Sequence, residues 1–286
     1  MTDLAQSSPP SKTVLLGDCR YGVDPGWGAD PDGDRLGAIS KITSSADGGI
    51  YVLQRRAPQL VRLDARGQVS ASWSVPLVDP HGISTSPDGR IYAVDRDGHR
   101  VFKLGAGGEP LMVLGDAAIP RYGAPFSHPT DVAIADDGDI FVADGYGNSH
   151  VHRFSPEGAL RRTWGGAGSE PGKFTTPHGI CIIGEDRIAV GDRENNRIQV
   201  FDFDGGLVSI WTDVYHPMEI CRDGNGLVYV SDQIPRITLF DPDGTMVGRC
   251  RTPLPYLAHG MAVSASGDIF LSGPGARIVA RLSAIS

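Results

Sequence analysis

Three of the eight histidines in this sequence, His81, His178 and His259, each stand two residues before an apolar residue that opens a strand-like run. Those apolar residues, Ile83, Ile180 and Met261, belong to a set of six that also contains Ile42, Val132 and Ile220, and histidine occupies every second member of the set. Imidazoles carried to one axis by alternate units of a ring are the donor set of a metal site. Three protein ligands leave one position open, the pattern of catalytic rather than structural zinc. Neutral imidazole with no thiolate or ligand carboxylate in register makes Zn²⁺ the first expectation, with other divalent transition metals left open. His128 and His216 stand four before their anchors, and His99, His150 and His152 fall in the outer parts of their units, so these five are read as non-ligands.

Thirteen residues after the six anchors come Arg55, Arg96, Gly145 (followed by Tyr146), Arg193, Gln233 and Pro274. Arginine presents a permanently charged fork that matches a carboxylate. An acidic protein with three arginines at these places is expected to bind a small-molecule or peptide substrate bearing a carboxylate.

Both sets are positioned by a repeat. The anchors recur at intervals of 40 to 49 residues, and eight positions after each stands another β-former: Ile50, Ile91, Ile140, Ile188, Val228 and Ile269. A turn such as Asp88-Gly89 or Asp137-Gly138 separates the two, and twelve positions after the anchors come Gln54, Asp95, Asp144, Asp192, Asp232 and Gly273. A third strand follows in each unit and a fourth in five. Six units of this length and strand content predict an all-β chain, a single six-bladed β-propeller domain over residues 1–286. The blades are expected near 39–74, 81–115, 128–165, 177–211, 216–251 and 258–286. The last unit ends without a fourth strand, and residues 13–17 (TVLLG) are expected to supply it and close the ring. Residues 19–36 would then cross to blade one. The loop between strands two and three returns to the channel face where strand one starts, so the arginines and Tyr146 share a side with the histidines. The aspartate ending strand two reads as architecture, a carboxylate accepting N–H groups of the following turn.

The net charge of −8 and a pI near 5.4 argue against a nucleic-acid partner or an anionic membrane surface, which require a basic face. No apolar run approaches the roughly 20 residues of a membrane helix. The N-terminus lacks a basic segment followed by an apolar one, and the four cysteines are scattered, so a reduced, cytoplasmic protein is expected. The oligomeric state is left open.

Residues 128–164, HPTDVAIADDGDIFVADGYGNSHVHRFSPEGALRRTW, and 177–201, PHGICIIGEDRIAVGDRENNRIQVF, resemble the lyase domain of peptidylglycine α-amidating enzymes, within the broader NHL-repeat class. The resemblance implies a six-bladed propeller whose zinc, held by three histidines, serves cleavage of the C–N bond of a peptidyl α-hydroxyglycine to an amidated peptide and glyoxylate. By motif its ligands match His81, His178 and His259, its active-site tyrosine matches Tyr146, and its two arginines match Arg55 and Arg193. Two departures follow. The family's DGY-C-NS cysteine is Gly147, and its partner region reads Ser127-His128-Pro129, so that disulfide is not expected. The family's Met-Pro-His-Asp motif reads Leu257-Ala258-His259-Gly260, so the aspartate that helps hold a structural Ca²⁺ is missing, and Leu257 alters the substrate side.

The expected activity is a zinc-dependent lyase acting on a carbinolamide or similar α-hydroxylated amide. Tyr146 would serve as general base, with Arg55 and Arg193 orienting the substrate and Arg96 a substrate-binding residue at the same mouth. Two alternatives stand beside it: a metal-dependent hydrolase of a lactone, amide or ester at the same site, and a non-catalytic NHL binding platform, which fold alone never excludes.

Overall fold

A computed structural model describes residues 12–29, 35–117, 119–254 and 257–285. Six antiparallel sheets surround a central channel. Their inner strands are Ile39–Ser44, Pro80–Thr85, Asp131–Ile134, Pro177–Ile182, Pro217–Arg222 and Gly260–Val263, each packed against its two neighbours around the ring. Blade three shows the plan: Asp131–Ile134, Ile140–Asp144, His150–Phe154 and Leu160–Gly165 pair in chain order from channel to rim.

The periodic β-formers pack between sheets. Ile50, Ile91, Ile140, Ile188, Val228 and Ile269 are all fully buried, so the register seen in the sequence is the register of the core. One cluster joins Leu53 and Leu60 of blade one to Ile83, Ile91, Ala93, Phe102 and Leu104 of blade two. At about 25 cal/mol per Å² of buried apolar surface, such inter-blade faces supply the main stabilising term.

An N-terminal strand completes blade six and closes the ring as expected, but residues 13–17 do not supply it. The fourth strand of blade six is Cys19–Asp24, paired with Ala280–Ile285, and Thr13–Leu16 is a fifth strand outside it. Both strands of this hairpin turn one face inward: Tyr21 and Val23 are 3% and 6% exposed, and Leu16 is 1% exposed beside an outward Leu15. Leu16 and Tyr21 pack in one cluster with residues of blades five and six. Leu16 pairs with Cys19 across a tight turn at Gly17 (φ +59), and a Cβ on Gly17 would lie 3.4 Å from Leu239 of blade five. The N-terminal hairpin thus closes blade six and also abuts the next sheet.

The aspartates ending strand two are architectural, but their partners differ from the expectation. Each accepts the backbone N–H of a residue 17 positions earlier, in the loop entering its own blade: Val78 to Asp95 (2.9 Å), Ser127 to Asp144 (2.9 Å), Thr175 to Asp192 (2.7 Å) and Tyr215 to Asp232 (3.2 Å). In blade one Gln54 takes the N–H of Gly37 in the same way. Asp192 also receives Arg197 Nε (2.7 Å), Asn195 (2.9 Å) and Gln199 (3.1 Å) while fully buried. Asp192→Ala would remove the carboxylate shared by Thr175 N–H, Arg197, Asn195 and Gln199, although the three side chains each keep a backbone carbonyl. It is expected to lose about 1.5–3 kcal/mol, read as a fall in Tm on the order of 5 °C, with Asp192→Asn intermediate.

Candidate metal centre

His81 and His178 sit where their inner strands bulge. Pairing runs from Pro80↔Asp95 to Ile83↔Ala93, and from Pro177↔Asp192 to Ile180↔Val190, leaving one extra residue on the inner strand in each case. A bulge re-aims a side chain, and the proline opening each strand has no N–H to lose there. His259 lies just before its strand, its N–H bonded to Ser272 O (2.9 Å). The three imidazoles converge with ring centroids 5.2 to 5.4 Å apart. One ligand atom from each lies within 4.8 Å of the others, the one such trio among the described residues.

Each ring is oriented by the neighbouring blade. Nδ1–H of His81 donates to Thr130 O (2.7 Å), that of His178 to Met218 O (2.8 Å), and that of His259 to Ser40 O (2.8 Å). Each acceptor occupies the histidine's own register position one blade on. These bonds fix the tautomer and leave the lone pair on Nε2, the outer-shell arrangement of metal-binding histidines. Nε2 of His178 is buried without a hydrogen-bond partner. Burial, with Lys41 next, pushes His259 down to about 4; burial and the neighbouring imidazoles hold His81 and His178 well below the ordinary histidine value. All three are therefore neutral at pH 7, with lone pairs available. An inward-facing, orphaned, neutral Nε2 fits a divalent transition metal.

Tyr146, 39% exposed, places its hydroxyl 3.1 Å from His81 Nε2 and 3.4 Å from the Arg193 guanidinium. The guanidinium carbons of Arg96 and Arg193 lie 5.6 and 5.4 Å from its ring centre, flanking it by cation–π contact. Arg55 and Arg96 are bridged by Asp79, and Arg193 Nε is held by Glu194 (2.8 Å). The structure thus gathers His81, His178, His259, Tyr146, Arg193, Arg96 and Arg55 on one face. Leu257 is half-buried in the loop entering blade six, two residues before His259.

The long loop before blade three lies on the same face. Asn148, beside Tyr146 and Gly147, donates to Arg121 O (2.7 Å) and Ala124 O (3.0 Å). A Cβ on Gly147 would sit 2.1 Å from Ser127 Oγ, so the two positions that would carry the family's disulfide touch without one. The described cysteines, Cys19, Cys181, Cys221 and Cys250, are all free thiols. No helix among the described residues is long and apolar enough to cross a membrane.

Four acidic or basic side chains escaped the reading from sequence. Asp79 sits two residues before His81, where a carboxylate reads as a loop charge. Lys41, Asp131 and Glu219 stand one position before their anchors in blades one, three and five, where the histidine blades carry Gly82, Gly260 and Gly179. That alternation is visible in the same alignment of repeats that revealed the histidines.

The NHL repeat family pattern matches residues 77–104, 126–154 and 174–201, within blades two, three and four. The fold and the repeat define an NHL-repeat β-propeller. Over about half of its length the chain is similar in sequence to amidating lyases that carry this repeat. Peptidyl-glycine alpha-amidating monooxygenase A of Xenopus laevis is 44% identical over 135 residues, 44% of this chain and 14% of the frog protein. Peptidyl-alpha-hydroxyglycine alpha-amidating lyase 1 of Drosophila melanogaster is 36% identical over 150 residues, 48% of this chain and 28% of the fly protein. The alignments thus span less than a third of these relatives' lengths. Among solved structures, a gluconolactonase of Xanthomonas campestris superposes with a TM-score of 0.67 at 18% identity, covering 97% of this chain and 99% of that one, a likeness of fold alone.

Proposed function

We propose that the protein is a zinc-dependent lyase that cleaves the C–N bond of an α-hydroxylated amide bearing a carboxylate. The observation that carries this reading is the convergence of three neutral, Nδ1-anchored imidazoles beside a tyrosine hydroxyl that two guanidiniums flank. His81, His178 and His259 would hold the metal through Nε2. A zinc ion there supplies Lewis-acid charge to the oxygen-bearing end of the substrate.

The remaining steps belong to side chains of this chain. Arg193 and Arg55 pair with the substrate carboxylate and fix the hydroxyl-bearing carbon over the site, which converts encounter into a near-attack geometry. Glu194 and Asp79 hold those guanidiniums on the site's face, and Arg96 extends the positive rim. Tyr146, as its phenolate, would take the substrate's hydroxyl proton and return it to the departing nitrogen. The freed electron pair forms the C=O bond as the C–N bond breaks, and the nitrogen leaves with a proton as a primary amide. With an N-acyl α-hydroxyglycine the carbonyl product is glyoxylate.

The test is metal analysis of the purified protein together with glyoxylate release over a panel of N-acyl α-hydroxyglycines. Stoichiometric zinc and metal-dependent release are expected. Protein lacking zinc, or zinc protein inert on the whole panel, would sink the reading. Isotope from labelled water entering the acyl product would instead indicate hydrolysis.

A further inference from the structure

One position before the anchors, the inner strands alternate charge with glycine, and the three charges meet across the channel. Lys41 Nζ of blade one lies 2.7 Å from Asp131 Oδ2 of blade three and 2.8 Å from Glu219 Oε2 of blade five. Lys41 is fully buried, and the two carboxylates are 2% and 6% exposed. The intervening glycines make the room: a Cβ on Gly82 would fall 2.7 Å from Asp131 Oδ1, and one on Gly260 would fall 3.1 Å from Lys41 Cα. Asp131 also accepts the N–H of Ile180 (3.2 Å), two residues beyond His178, and Glu219 accepts that of Ile220 (3.2 Å). On the side away from the histidines, Asp131 and Glu219 border a cavity of about 490 Å³ that opens on the opposite face. The triad therefore lies across the channel between the histidine chamber and its other mouth.

A structural Ca²⁺, which the family resemblance implies, does not fit this channel. Gly260 offers no side-chain oxygen, and an ammonium already lies between the carboxylates. Buried charges need a counter-charge within contact distance. Burial alone would pull Lys41 down, but Asp131 and Glu219 together carry it above its ordinary value, so the ammonium stays charged; burial also raises both carboxyls, Glu219 to about 8, which leaves Asp131 the firmer negative partner.

We propose that Lys41 is the channel's own cation, taking the place of a divalent ion between Asp131 and Glu219, so that the centre of the propeller is held together without calcium. Gly260 is the complement of this arrangement, since a longer side chain there would press on the Lys41 backbone.

Calcium-free wild-type protein is expected to show the same Tm with and without added CaCl₂, and to carry no stoichiometric calcium as purified. Lys41→Met leaves two buried carboxylates without a cation, and its Tm is expected to fall on the order of 10 °C. Added CaCl₂ should recover part of that loss. The uncharged set Lys41→Met, Asp131→Asn, Glu219→Gln should fold, recover most of the lost Tm and ignore calcium; it serves the same purpose where Lys41→Met does not fold. A calcium-dependent rise in wild-type Tm, a Lys41→Met protein as stable as wild type, or a triple variant no more stable than Lys41→Met would each overturn the proposal. These readouts are independent of catalysis, so they separate this assignment from the lyase reading.

Discussion

His178→Ala is expected to lose stoichiometric zinc and to lower turnover on N-acyl α-hydroxyglycines by about 10³-fold or more. Lewis-acid stabilisation is worth several kcal/mol, and each 1.36 kcal/mol is tenfold in rate. His178 is the ligand to remove first because it is fully buried and its Nε2 has no other partner. Its Nδ1 bond to Met218 O joins blade four to blade five, so the variant also loses one inter-blade hydrogen bond. Circular dichroism and Tm distinguish a folded, metal-poor protein from a collapsed ring. Full zinc and full activity in a folded His178→Ala protein would remove the site.

Tyr146→Phe is expected to lower kcat by about 10²- to 10⁴-fold, the usual worth of a positioned proton-transfer group. Zinc content and KM should change little. Loss of the hydroxyl leaves the ring in contact with Arg96 and Arg193, so the positive rim proposed to hold the carboxylate keeps its geometry. This split between kcat and KM separates proton transfer from substrate binding. Retained kcat would reassign the proton to another group, and a rise in KM alone would make Tyr146 a binding residue.

Much of this protein was legible from its sequence, because a repeat turns spacing into geometry. Six anchors with a second β-former eight residues later specify a hairpin, and six hairpins of one length specify a ring. The convergence of His81, His178 and His259 followed from their register, since alternate blades of such a ring point at one axis. What the register could not show was the atomic partner of each side chain. The Nδ1 bonds to Thr130, Met218 and Ser40 use carbonyls of other blades, 40 or more residues away along the chain or across the ring closure.

Two positions show where local pattern stops. Residues 13–24 form two short strands joined at Gly17, and both offer an inward face, Leu16 on one and Tyr21 and Val23 on the other. Local pattern does not distinguish them; the pairing of Cys19–Asp24 with Ala280–Ile285 does. Asp131 and Glu219 read locally as strand-end charges, and Lys41 as an ordinary basic residue. Only closure of the ring brings them together, because three alternate blades contribute one member each and no two are neighbours in sequence. The sequence by itself determined the blades, their order and the direction in which the histidines face. The tertiary structure alone decided the tautomers, the Asp79 bridge and the buried ammonium, because those depend on contacts between blades rather than within them.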